Sequence, residues 1–147
     1  MTQTNLNAAA ALVLRVSLGT LFLAHAGLKY FVFTPEGAAG FFASLGLPAE
    51  LAYITIFVEA IAGAALILGV AVRAVSVATL PILLGSIVFV HAGNGWLFSN
   101  ENGGWEFPAF WAAALVVQAM LGNGAFSLAN ASGPRNIDVD YTAIAAA

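Results

Sequence analysis

Four apolar runs, each long enough to cross a bilayer, occupy most of this chain, and few ionisable residues interrupt them, chiefly Arg15, His25, Lys29, Glu59 and His91. Hydrocarbon tolerates a charge only where it is paired, hydrated or at the interface, so each of these side chains needs a specific reason to be there. The background is extreme: 61% of the 147 residues are hydrophobic, 7% are charged and the mean hydropathy is +0.94. A spanning helix uses about twenty apolar residues, at a rise of about 1.5 Å each across a hydrocarbon core roughly 30 Å thick. The expected fold is therefore all-α, a single membrane domain built as a four-helix integral membrane bundle. With four Lys and Arg and a net charge of −3, the chain has no basic surface for a phosphate backbone, which excludes nucleic acid as a partner. The absence of Cys removes thiolate catalysis, disulfide exchange, iron–sulfur ligation and Cys-based zinc sites. Any redox role has to use a bound, non-covalent cofactor.

The first span is expected over 8–33. Met1 to Asn7 carries no Lys or Arg, and Arg15 interrupts the apolar region, so this run reads as a retained span rather than a cleaved signal despite the small residues near Ala26. Thr34-Pro35-Glu36 resembles a capped helix start and leads into Phe41, Phe42 and Leu45, which predicts a short interfacial helix ended by Gly46. From Leu51 to Ala92 the chain is nearly continuous hydrocarbon, about twice the length of one span, so it has to fold back near Gly69 to Arg73. That predicts spans over 49–70 and 74–92, with Pro81 inside the latter. A Gly- and Asn-rich loop bracketed by Trp96 and Trp105 precedes a fourth span over 107–121, Gly122-Asn123-Gly124 stops it, and a polar tail is expected over 130–147. Four spans place both termini on one side together with Arg73 and Arg135, whereas Glu36, Glu50, Glu101 and Glu106 fall opposite, so the positive-inside rule favours cytoplasmic termini in a prokaryotic plasma membrane.

Helix rise places Arg15 and Glu59 at similar depths, and a buried ion pair between them is the expected pairing; a functional proton carboxylate at Glu59 is the alternative. His25 and Lys29 are four residues apart, on one helical face. His91 closes the third span at the same membrane level, and Trp105 and Glu106 open the fourth. Together His25, Lys29, His91, Trp105 and Glu106 form a candidate polar cluster under the aromatic interfacial helix, suited to a ring with carbonyl or hydroxyl groups and a lipid tail, such as a quinone. The plainer alternative has Lys29 snorkelling to the headgroups, Glu106 solvated and both imidazoles capping helix ends. A bis-His haem lacks any further supporting motif, and no metal site is expected.

The segments His25-Ala26-Gly27-Leu28-Lys29, Phe41 to Pro48, Glu59 with Gly63, Leu68 to Arg73, Gly104-Trp105-Glu106-Phe107-Pro108 and Gly122 to Leu128 together resemble the DoxX family of small membrane proteins, over about Leu12 to Ala129. The resemblance implies a four-helix membrane bundle, an association with quinol oxidase and thiosulfate-to-quinone electron transfer, and motif positions at His25, Gly27, Lys29, Glu59, Arg73 and Glu106. Two positions depart from the pattern: Asn123 stands where Pro is frequent, and Ala129 where an acidic residue is common. Three functions follow as expectations. The first is a quinone-binding membrane subunit that receives its electrons from elsewhere. The second is a non-catalytic accessory subunit of a larger membrane complex, and the third a small transporter built on Arg15 and Glu59.

Overall fold

The computed structural model describes residues 2–131, which are helices and the turns between them, with no strand among these residues. α1 (Gln3–Gly27) starts at Thr2, whose hydroxyl accepts from the Asn5 N–H, and runs on through a π-helical turn, Leu28–Val32. α2 (Pro35–Ser44) has Thr34 as its cap, Pro35 in its first turn and Glu36 at the positive end of its dipole. It lies on α3 (Glu50–Leu68) through a small cluster of buried alanines, Ala38, Ala39 and Ala52. α4 (Val72–Ser86) continues through a second π turn, Ile87–His91, into a 3₁₀ turn, Ala92–Asn94. α5 (Glu106–Leu121) and a short α6 (Leu128–Ala131) complete the described chain. The tail expected over 130–147 lies outside the described residues except for Asn130 and Ala131.

α1 packs on α3 and α5, and α4 packs on the same two helices, which closes a four-helix ring. Its interior is apolar: Leu18, Phe22, Leu66, Val72, Leu83, Trp111, Ala112 and Leu115 form one buried cluster. The outside is apolar too. Val13, Phe57, Val88, Phe110 and Met120 are all largely exposed, an inversion that only lipid can solvate. Gln3–Val32, Glu50–Leu68 and Val72–Asn94 are long and apolar enough to cross a membrane. The fourth apolar helix has 16 residues, about 24 Å at helical rise, and falls short of a full hydrocarbon thickness. Its backbone is completed by the protein at both ends, where the Trp105 and Glu106 N–H groups donate to Gly95 O and Trp96 O and the Gly122 N–H to Gln118 O.

α1 and α3 cross at two glycines. A Cβ on Gly19 would stand 2.7 Å from Gly63 O, and a Cβ on Gly63 2.7 Å from Gly19 O, so the backbones touch where any side chain would separate them. This contact sets the two helices that carry Arg15 and Glu59, the buried charges among the described residues.

Arg15 does not pair with Glu59, contrary to the sequence expectation. It is fully buried, and its two terminal nitrogens donate to four backbone carbonyls: Leu66 O (2.8 Å) and Ile67 O at the end of α3, and Ala125 O (2.8 Å) and Phe126 O (2.9 Å) in the segment after α5. The last carbonyls of a helix have no intrahelical donor and carry the negative end of its dipole, so they solvate a guanidinium without any carboxylate. Leu66 lies about 11 Å along α3 beyond Glu59 at helical rise, too far for one head group to serve both. The segment after α5 is thereby tied across the near end of the bundle, where the Ala125 N–H also donates to Ala8 O and the Ser127 hydroxyl to Gly69 O. Gly69 has φ +72°, and a Cβ there would meet Ser127 Cα at 2.8 Å, so the α3–α4 turn needs glycine on both counts.

Arg15→Met removes the donor that four carbonyls share and should cost on the order of 3 kcal/mol or more, read as a lower thermal unfolding midpoint in detergent. Arg15→Lys has three donors and no planar fork to reach two separate segments, and should recover less than half of that loss. Wild-type stability in Arg15→Met would contradict this account of the near end.

Candidate functional site

At the distal end, opposite the α1 start and α6, the elements do not fill the space they enclose. A cavity of about 1700 Å³ is bounded by the end of α1, α2, the first half of α3, the second half of α4, the loop before α5 and the start of α5. Its wall is mostly aliphatic and aromatic, with Phe41, Phe42, Leu51, Ile54, Phe89 and Phe110 among the lining side chains. Ile54, Phe89 and Phe110 are also at least half exposed on the lipid-facing surface, so the cavity borders the bilayer itself.

Five ionisable side chains line this space: His25, Lys29, Glu59, His91 and Glu106. Lys29 turns inward rather than snorkelling outward. Its Nζ donates to both carboxylate oxygens of Glu59, at 2.9 and 2.8 Å, with side-chain exposures of 18% and 5%. Glu59 lies nine residues, about 14 Å, from the distal start of α3, a depth at which an unpaired charge would cost several kcal/mol. The flexible stem of Lys29 reaches it from the π turn at the end of α1. That pairing leaves Glu59 unavailable to Arg15, and it is the electrostatic centre of the cavity.

Lys29 and His91 both sit in π turns, marked by the Phe33 N–H bonding Leu28 O and the Ala92 N–H bonding Ile87 O. One extra residue per turn widens the helix and re-aims the side chains it carries, which is why such turns recur at functional sites. His91 Nδ1 lies 2.9 Å from Gly103 O. A carbonyl only accepts, so Nδ1 carries the proton, and in the neutral ring Nε2 is left as an acceptor. Asn94, which the sequence reading passed over, holds the same loop by donating to Val90 O, Asn102 O and Gly103 O. Glu106 accepts from the Phe98 N–H at 2.9 Å, so it fastens the loop while facing the cavity.

Trp105 stands apart from the cluster in which the sequence placed it. It is absent from the cavity wall; its ring meets Trp96 edge-on with centroids 4.4 Å apart, and its backbone N–H donates to Gly95 O in closing the loop. Trp96 supplies the wall in its place. On the inner side, Trp111 lies beneath His25, with ring centroids 5.0 Å apart, and packs against Phe22 and Phe107. Nothing in the spacing of the sequence distinguishes Trp111 from an ordinary core aromatic. Among the described residues, no group of three or more His, Asp or Glu converges as a metal site would require.

The corrected pairing is open to a double-mutant cycle. Lys29→Met and Glu59→Leu should each destabilise the protein, and the double variant should lose at least about 1 kcal/mol less than their sum, since each single change strands a charge that the other removes. Arg15→Met combined with Glu59→Leu should be additive to within about 0.5 kcal/mol, measured by denaturation in mixed micelles. Coupling in the second cycle and additivity in the first would restore the original expectation.

Comparison with known proteins agrees with the membrane architecture. The DoxX family model matches residues 10–92, more than half of the chain and a stretch that contains His25, Lys29, Glu59 and His91. A Bacillus subtilis protein named "Putative oxidoreductase CatD" is 40% identical over 79 residues, 54% of this chain. The chain spans about 58% of that relative's length. No solved structure matches significantly. An all-helical membrane protein with these matched residues is what the sequence resemblance implied: the chain belongs to the DoxX family.

Proposed function

We propose that this protein is a membrane subunit of quinone-linked electron transfer, which takes a quinone from the bilayer into the distal cavity, and that the distal end faces outward from a plasma membrane with the termini cytoplasmic. One observation carries the reading: five ionisable side chains converge on one apolar, lipid-bordering cavity. A ligand suited to that space has a polar ring and an apolar tail. The volume exceeds what a ring alone fills, since sites for whole drug-sized ligands run to about 1,000 Å³. The relative named as an oxidoreductase and the family resemblance point the same way.

The donor set fits such a ring. Two of the three Lys29 donors are committed to Glu59, which leaves one for a ring oxygen, and His91 Nε2 accepts from a hydroxyl. His25, beside Trp111, supplies a further imidazole able to hydrogen-bond a ring oxygen. The Lys29–Glu59 pair is neutral as a unit, so the pocket favours an uncharged head over a phosphate. When bound, a quinone supplies a reversible two-electron, two-proton couple. The chain's own part is to hold the ring through Lys29 and His91 and to exclude water from one side of it. With no Cys to hold an iron–sulfur centre, electrons arrive from another subunit or a soluble donor.

Decylubiquinone titrated into the purified protein should bind saturably. The Lys29→Met/Glu59→Leu double variant, which keeps the packing but removes the polarity, should weaken binding about tenfold or more. Equal affinity in the two proteins would contradict the assignment.

A further inference from the structure

The indole Nε1 of Trp111 is a buried donor with no acceptor among the described residues, although its ring is part of the wall of the distal cavity and only 3% exposed. Buried N–H groups are almost always bonded, and one left unpaired costs on the order of 1–3 kcal/mol. Trp111 lies within the bundle, so bulk water does not supply the missing acceptor. Its ring is not free to turn away, since Phe22, Phe107 and His25 hold it at centroid distances of 4.8, 5.8 and 5.0 Å. The other tryptophan of the cavity, Trp96, is half exposed and lies in the loop rather than in a helix.

We infer that Trp111 is the inner positioning residue of the ligand site: its indole N–H donates to a carbonyl oxygen on the buried edge of the ring, while His91 and Lys29 serve the opposite edge. The inference rests on the quinone reading and refines it. A ring with two carbonyls matches a cavity whose wall holds two separate donors, Lys29 at the end of α1 and Trp111 on α5. A lipid with a single polar group, such as a fatty alcohol, leaves one of the two donors unanswered. The neutral indole adds no charge to a pocket whose ion pair is already balanced, in keeping with an uncharged head.

Decylubiquinone and the full-length protein in detergent test this. The three tryptophans yield three indole N–H resonances, each assignable by a single replacement. That of Trp111 should move downfield on adding decylubiquinone, and Trp111→Phe, which keeps an aromatic ring in the core, should weaken binding about tenfold, the factor for one hydrogen bond of about 1.4 kcal/mol. An unmoved Trp111 resonance in saturated wild-type protein overturns the inference even if the variant misfolds. Should that resonance stay fixed while the Lys29→Met/Glu59→Leu variant still loses affinity, the quinone reading survives without Trp111. Failure of wild type to bind decylubiquinone overturns both.

Discussion

The ion pair between Lys29 and Glu59 is the constraint around which the distal half of this protein is organised. A carboxylate some 14 Å down a membrane helix is tolerable only with a cation brought to it, and the chain has four basic residues in all. Lys29 reaches Glu59 because α1 and α3 touch at Gly19 and Gly63 and because a π turn carries the lysine. Once the two charges cancel, the space around them can stay apolar and still present hydrogen-bonding groups. A site for a neutral lipid headgroup requires that combination.

The near end solves the opposite problem by different means. Arg15 has no acid to meet, and its charge is spread over four carbonyls from two segments. The protein thus separates its buried cations by role: Arg15 ties the backbone after α5 to the α3 end, and Lys29 faces a cavity. A guanidinium suits the first task because it remains charged and offers a rigid fork; a lysine suits the second because its single head group can bind a carboxylate and keep a donor in reserve.

Much of the architecture was legible in the sequence. The apolar runs, the capped start at Thr34-Pro35-Glu36, the fold-back at Gly69 and the stop at Gly122 are all local signals, and the helices begin or end within a few residues of them. The gathering of His25, Lys29, His91 and Glu106 at one level followed from helix rise alone. What was not legible depended on rotation and on competition. Depth arithmetic paired Glu59 with Arg15 and left Lys29 to the outer polar cluster, and only the packed structure shows that backbone carbonyls take the arginine and Lys29 takes the acid. Neither π turn has a sequence signature, yet each re-aims a cavity residue. Trp105 was placed by proximity to Glu106, whereas its ring packs on Trp96; Trp111 was passed over because its distinguishing feature is a missing partner.

The central claim is that a quinone ring enters the distal cavity from the side of the lipid. Photo-crosslinking in native membranes tests it most directly, using a quinone with a photoactivatable group on its tail and mapping the labelled peptides by mass spectrometry. The account predicts label on the walls formed by α3, the π turn after α4 and α5, at residues such as Ile54, Phe89 and Phe110, suppressed by excess unlabelled quinone. Label spread evenly over lipid-facing positions such as Val13 and Met120, with no competition, would contradict it.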